Sequence, residues 1–318
     1  MDAPIIDAVP VELIKAELTE ERFLRHTNRG KNELYIVDAY NAPNTMREIG
    51  RLREIAFRLG GGGTGKDCDI DEFDVMTPPL QQLIVWNPDE EQIVGGYRFI
   101  LGKDIKVLED GSPRIATAHM FRFSEEYMRD YMPYTIELGR SFVRIESQAT
   151  RSSSNIFALD NLWDGIGALI VKNPDMKYLF GKVTMYPSYD PVCHDLIFRF
   201  FDHYFEDKAE LVRPIKPLAN KTDGKEVAEV FPITGDFRED YRVLNTLVRE
   251  RGSNIPPLVN AYMKLSETMK YFGTGINDEF GDVEETGILV TIKDMSKDTT
   301  RRHIESYDEA SRIYNRTV

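Results

Sequence analysis

Six charged residues interrupt segments that are otherwise apolar, and their types could do chemistry together. Arg53 lies in a helical pattern, Asp71 and Asp74 in an acidic loop, and Arg98 at the end of "VGGYRF" (94–99). Glu137 and Arg140 lie three apart in "YTIELGRSFVRI" (134–145), whose first half alternates like a strand. A charge in a half-buried strand is costly unless it is paired or used. A carboxylate can take a proton, and a guanidinium can hold a carboxylate in a two-point fork. Taken together, the six predict a polar cluster on sheet edges and one helix. Strand side chains alternate, so Glu137 and Arg140 share a site only if the strand bulges between them, and Gly139 is the expected place.

Other apparent motifs fail on chemistry. "GGGGTGKD" (60–67) approaches a phosphate loop, but Asp67 replaces the metal-binding hydroxyl, and the loop follows a helix rather than a strand. It is expected to be a mobile loop of the kind that forms lids. "DCDIDEFD" (67–74) has the alternating acids of a calcium loop. It lacks the sixth-position glycine, where Glu72 stands, and the closing glutamate, where Pro78 stands. A solvated acidic loop is expected there. Cys193 and His194 are adjacent on a helical pattern and cannot face each other as a dyad. His194 reads as helix surface or a satisfied core residue. No histidine spacing marks a metal site.

The elements that position these residues follow from periodicity. "ELYIVDAY" (33–40) predicts a strand. Met46, Ile49, Leu52, Ile55, Ala56 and Leu59 predict a helix that Gly60 stops. "QQLIVWN" and "EQIVGGYRFILG" flank a turn and predict a hairpin, and "FSEEYMRDYM" a short helix. Helices are predicted over 157–171 and 194–205, with the strand "YLFGKVTMY" between them. After residue 207 comes a Pro/Gly-rich excursion, then two helices, "FREDYRVLNTLVRERG" and "PPLVNAYMKLSETMKY", and the strand "ETGILVTI". The alternation predicts an α/β layer with a mixed sheet.

Composition bounds the function. The 318 residues carry a formal charge of −13, against a general nucleic-acid binder, which needs a basic face. Two cysteines give no disulfide framework, and a reducing compartment is the simpler reading. The opening residues lack a signal-peptide pattern, and no window reaches the ~20 apolar residues of a membrane span. A soluble, cytoplasmic protein is expected.

The ordered set of segments resembles the Gcn5-related N-acyltransferase (GNAT) fold. Within it, the chain is most similar to the hemolysin-like N-acyltransferases that make ornithine and glycine lipids, which in turn resemble acyl-homoserine-lactone synthases. The likeness rests on "RLREIAF", "DIDEFD", "IVGGYRFI" and "ELGRSFV". It continues through "LDNLWDGIGALI", "YLFGKVTMYPSY", "IPPLVNAYMKL" and "FGTGINDEFGDVEETGILVTI", covering residues 34–293. It implies a GNAT-like core over residues 1–207, with its mixed central sheet flanked by helices. A C-terminal extension over 208–318, helices plus a strand, would pack on that core.

The resemblance assigns Arg53, Asp71, Asp74, Arg98, Glu137 and Arg140 to the catalytic site. Glu137 would be the base, directly or through water. Arg98 or Arg140 would hold an acceptor carboxylate. Asp71 and Asp74 would hold its ammonium group, or anchor Arg53 and order the loop. Phe142, Val143 and "RSSSN" (Arg151, Ser152, Ser153, Ser154 and Asn155) would take the donor, with Phe142, Trp163 and Phe180 along an acyl tunnel. Tyr186 or Tyr189 would protonate the leaving thiolate. "RSSSNI" lacks the glycines that wrap a coenzyme A pyrophosphate, which favours the acyl-phosphopantetheine of an acyl carrier protein over acyl-CoA. That acidic partner would dock on residues 140–182, where six basic and four acidic residues leave a net +2, among them Arg144, Arg151, Lys172, Lys177 and Lys182. No permanently bound cofactor or metal is implied.

The expected reaction moves a long acyl chain, with or without a 3-hydroxyl group, to the amine of a small amino acid such as glycine or ornithine. A lipid product would bring peripheral contact with the inner membrane face, through the helix at 194–205 or the tail near Arg301. The alternatives are a homoserine-lactone-type synthase, an acetyl-CoA-dependent N-acetyltransferase and a non-catalytic acyl-binding module.

Overall fold

A computed structural model of the chain describes residues 2–144 and 157–307. In chain order its α-helices of four or more residues, among those described, are α1 (Val11–Glu17), α2 (Pro43–Gly60), α3 (Glu72–Val75), α4 (Ala158–Lys172), α5 (Pro191–Tyr204), α6 (Gly224–Val230), α7 (Phe237–Glu250) and α8 (Pro257–Met263). Its strands are β1 (Phe23–His26), β2 (Glu33–Val37), β3 (Gln81–Asn87), β4 (Gln92–Leu101), β5 (Phe121–Phe123) and β6 (Thr135–Val143). They continue with β7 (Tyr178–Met185), β8 (Val212–Pro214), β9 (Lys270–Asn277) and β10 (Val283–Thr291). Two compact units result. Of the described residues, the first takes 2–105, 133–144, 157–177 and 297–307, and the second takes 106–132 and 178–296. The division therefore does not fall at residue 207. The chain leaves the first unit after β4, returns for β6 and α4, and comes back again near its end.

In the first unit β1, β2, β3, β4 and β6 are hydrogen-bonded in that order, each pair antiparallel. Directly paired residues share a sheet face. Tyr35, Ile84, Gly96 and Phe142 therefore lie on one face, which packs on Met46, Ile49 and Leu52 of α2. Leu83 lies on the other face, against Gly165 of α4. The register continues the first face through Gln82, Arg98 and Gly139, and through Ile100 and Glu137. So the sequence alternation alone carries Gln82, Arg98 and Glu137 to the α2 side.

Both ends of α2 are held by distant groups. Ala42 cannot cap the helix, so Glu17 from α1 accepts from Asn44 N (3.0 Å), Thr45 N (2.7 Å) and Thr45 Oγ1 (2.8 Å). At the far end Gly61, not Gly60, takes the left-handed conformation that stops the helix (φ 94°). Of the stripe read from sequence, Met46, Ile49 and Leu52 are buried, while Leu59 is exposed. The following glycine loop is not the free lid expected. The buried Glu54 carboxylate accepts from Thr64 N (3.1 Å), Thr64 Oγ1 (2.7 Å), Gly65 N (2.8 Å) and Arg58 Nε (2.7 Å). Ala3 N and Ile6 N donate to the carbonyls of Gly65 and Asp67 (2.9 and 3.1 Å).

In the second unit β7, β10 and β9 form an antiparallel sheet, and β5 pairs with β8 in a short ribbon. β9 starts where sequence periodicity extended the last helix, because Lys270–Asn277 pairs with β10. His194 is wholly buried on α5, with Asp195 at 2.7 Å and Glu284 at 3.0 Å from its two ring nitrogens, so it is a core residue between two carboxylates and not helix surface. Tyr189 donates to the carbonyl of Asn254 (2.8 Å). Lys182, expected on a docking patch, is tied to buried Glu285. Phe180 packs among Phe123, Tyr127 and Phe272. No described helix is long and apolar enough to cross a membrane.

The turn after residue 299 returns to α4. Buried Asp164 accepts from Asn28 N (2.8 Å) and pairs with His303 Nδ1 (2.7 Å). A Cβ on Gly167 would stand 1.9 Å from the carbonyl oxygen of His303, whereas one on Gly139 meets nothing within 4 Å. Gly167→Ala is expected to cost about 2 kcal/mol or more, and Gly139→Ala within about 0.5 kcal/mol of zero. Denaturant unfolding of the two variants checks this pair.

Candidate active site

The acid loop is built by its own capping chemistry. Asp71 caps α3, accepting at Oδ1 from Phe73 N (2.9 Å) and Asp74 N (3.2 Å), and Asp74 Oδ2 accepts in return from Asp71 N (3.1 Å). This reciprocal box aims both carboxylates at the sheet. The loop is therefore not the solvated one that its charge suggests. Asp69 and Asp74 are completely buried, and Asp71 retains about a fifth of its side-chain surface.

Three arginines meet these acids. Arg98 Nη1 reaches Asp71 Oδ1 at 2.7 Å and Asp74 Oδ2 at 3.2 Å. Arg140 Nε lies 3.0 Å from Asp69 Oδ2, and its Nη2 lies 3.5 Å from Asp71 Oδ2. Arg53, from α2, stands 3.4 Å from Asp74 and donates to the side-chain carbonyl of Gln82. Gln82 in turn donates to Asp74 Oδ1 at 2.9 Å. Arg53, Asp71, Asp74, Arg98 and Arg140 are thus brought together from one helix, one loop and two strands. Glu137 is buried on the same sheet face as Arg98.

The bulge needed to join Glu137 and Arg140 is present, one residue beyond the expected place. Gly139 pairs normally with Arg98, and the next pair is Phe142 with Gly96. Arg140 and Ser141 therefore face Tyr97 alone, two residues against one. Arg140 takes a left-handed backbone (φ 48°), unusual for a residue with a Cβ. The bulge turns its guanidinium to Asp69 and Asp71 on the α2 face.

Burial and charge oppose each other here. Burial would raise the Asp71 carboxyl, but Arg98, with Arg140 and Arg53, holds it down at about 2. Burial pushes the Arg53 guanidinium down, against the pull of Asp74 and Asp69. For Arg98 the same burial is outweighed by Asp74 and Asp71, and its pKa is raised.

Two members of the cluster were not singled out from sequence. Asp69 is masked by its own acidic run, and Gln82 looks like any polar residue at a strand start. Only the register that sets Gln82 opposite Arg98 marks it. Of the donor residues expected, Phe142 is a core side chain beneath α2 and Val143 is half-buried at the strand end. Trp163 is buried within α4. Arg151, Ser152, Ser153, Ser154 and Asn155 lie outside the described residues.

Asp71 gives a test in acid. Its folded pKa is depressed, so it stabilises the fold fully above the unfolded value near 4 and loses that contribution as pH falls through about 2. The contribution is on the order of 2 kcal/mol. Asp71→Asn is expected to be less stable at neutral pH and to show a flatter stability curve between about pH 4 and pH 2, as read by urea unfolding across that range.

Comparison with known proteins gives the family. Residues 52–157 match the acetyltransferase (GNAT) domain, a span that carries every charged residue of the cluster. A glycine N(alpha)-acyltransferase of Bacteroides thetaiotaomicron is 57% identical over 307 residues, covering 96% of this chain and 91% of the relative. One of the same name from Phocaeicola vulgatus is 56% identical over 304 residues, covering 95% and 93%. Among solved structures, the acyl-homoserine-lactone (AHL) synthase LasI aligns over 48% of this chain and 72% of its own, at 16% identity and a TM-score of 0.32. More than half identity, sustained over nearly all of both relatives, makes this chain a member of the GNAT N-acyltransferases and an acyltransferase enzyme.

Proposed function

We propose that the enzyme transfers a long-chain acyl group from the phosphopantetheine thioester of an acyl carrier protein to the α-amino group of glycine. Support for glycine over ornithine comes from the name that both relatives carry. The observation that carries the chemistry is the bulge at Arg140. It gives one strand a carboxylate and a guanidinium directed to the same face, the two groups an α-amino acid requires. Of the three clustered arginines, Arg140 keeps the most exposed side chain, 15% against 3% for Arg98 and none for Arg53. The acceptor carboxylate is therefore assigned to Arg140, and Arg53 and Arg98 order the acids behind it.

Glycine arrives as an ammonium ion with no lone pair. Each unit by which its pKa exceeds the pH costs about 1.4 kcal/mol. Glu137 takes that proton, directly or through water. The nitrogen then bonds to the thioester carbon and the carbon–sulfur bond breaks, its electron pair leaving on sulfur. The attacking nitrogen loses a second proton and the thiolate gains one, leaving N-acylglycine, a free thiol and one proton released. A purely acyl-binding module does not fit membership in an enzyme family. The product is an anionic amphiphile, so this reading puts the enzyme in the cytoplasm, meeting the inner membrane face to hand it over.

Glu137→Gln is expected to lower kcat by about 100-fold or more, with the KM for glycine changed by no more than a few fold. Product formation followed by mass spectrometry of N-acylglycine checks this, and an unchanged kcat removes Glu137 from the role. A higher kcat/KM with the CoA thioester than with the carrier thioester would reassign the donor.

A further inference from the structure

We infer that Gln82 is a positioning residue of this site, relaying the orientation of Arg53 to the acid loop. The inference rests on the assignment of the cluster as the active site. Gln82 is 1% exposed in the middle of the sheet, paired with Val37 on one side and Arg98 on the other. Its side-chain carbonyl accepts from Arg53, and its amide nitrogen donates to Asp74 Oδ1 at 2.9 Å. The same nitrogen lies 3.3 Å from the carbonyl of Leu80.

Arg53 needs this partner. It is fully buried, and its direct contacts with Asp74 are long, 3.4 and 3.5 Å, where a charge-assisted bond is about 2.8 Å. Gln82 fills the gap, and the chemistry dictates which way its amide points. Arg53 can only donate and Asp74 can only accept, so the carbonyl must face one and the nitrogen the other. A carboxylate at this position would serve Arg53 and repel Asp74, and an apolar side chain would serve neither. Beyond Asp74 the relay reaches the machinery. Asp74 Oδ2 holds Asp71 N and Arg98 Nη1, and Asp71 holds Arg140. Gln82 therefore sets where the acid loop sits relative to α2, and through the loop where Arg140 points.

The test is a double-mutant cycle on the full chain, with glycine and a long-chain acyl-carrier thioester as substrates. Gln82→Met keeps the volume and removes both bonds. Expected is a fall in kcat of about tenfold, a KM for the acyl donor within about twofold of wild type, and a melting temperature that leaves the variant folded at the assay temperature. Gln82→Glu, which keeps the acceptor and loses the donor, is expected to fall as well, and it stands in if the methionine variant does not fold. Combined with Asp74→Asn, either variant is expected to lower kcat no further than Asp74→Asn alone. Additive effects, or a Gln82→Met kcat within twofold of wild type, overturn the relay. Should Asp74→Asn and Arg98→Lys themselves keep wild-type kcat, the site assignment fails instead.

Discussion

The first unit depends on neutralising charge that has been taken out of water. Arg53 and Asp74 are completely enclosed and Arg98 nearly so, and any one of them alone would be prohibitive at that depth. Breaking such a pair by removing one partner costs several kcal/mol, because the remaining charge stays buried. The acids come from one loop whose turn is set by its own capping box, and the arginines come from α2, β4 and β6. Helix, loop and sheet therefore cannot move independently. Such a lattice is a poor source of net stability and a good source of fixed geometry, which acyl transfer requires.

The same constraint explains the irregular strand. A regular β6 would send Arg140 to the α4 face, away from Asp69 and Asp71. The bulge reverses it, and the left-handed backbone at Arg140 is a local strain of order 1 kcal/mol or more. The ion pairs with Asp69 and Asp71 offset that strain. Gly139, the residue best suited to a bulge by its own preferences, is left in regular pairing. Tertiary charge pairing, not local propensity, chooses the bulge position.

This also marks what the sequence could reveal. Arg53, Arg98, Glu137 and Arg140 stand out because each breaks an apolar pattern, Asp71 and Asp74 through the resemblance of "DIDEFD" to the family's acid loop, and the requirement for a bulge follows from strand alternation. The hairpin of β3 and β4 and the helix α4 are equally plain, since their periodicity is strong and local. Asp69 and Gln82 are different. Their roles depend on which strand lies beside which, and that is set by pairing between segments far apart in the chain. β9 was hidden for the same reason, its glycine-rich run becoming a strand only beside β10. The anchoring of the glycine loop by Glu54 likewise requires knowing that the loop folds back along its own helix. Composition suggests a division at residue 207, whereas each compact unit gathers segments far apart in the chain.

In the proposed reaction, the bulge aims Arg140 at the carboxylate of the acceptor amino acid. This role is tested most directly by comparing glycine with glycinamide, which keeps the amine and lacks the carboxylate. Wild-type enzyme is expected to prefer glycine strongly in kcat/KM. Arg140→Ala is expected to lower glycine turnover to the level of glycinamide, erasing the preference while leaving glycinamide turnover little changed. An Arg140→Ala enzyme that still prefers glycine by the wild-type ratio would contradict it.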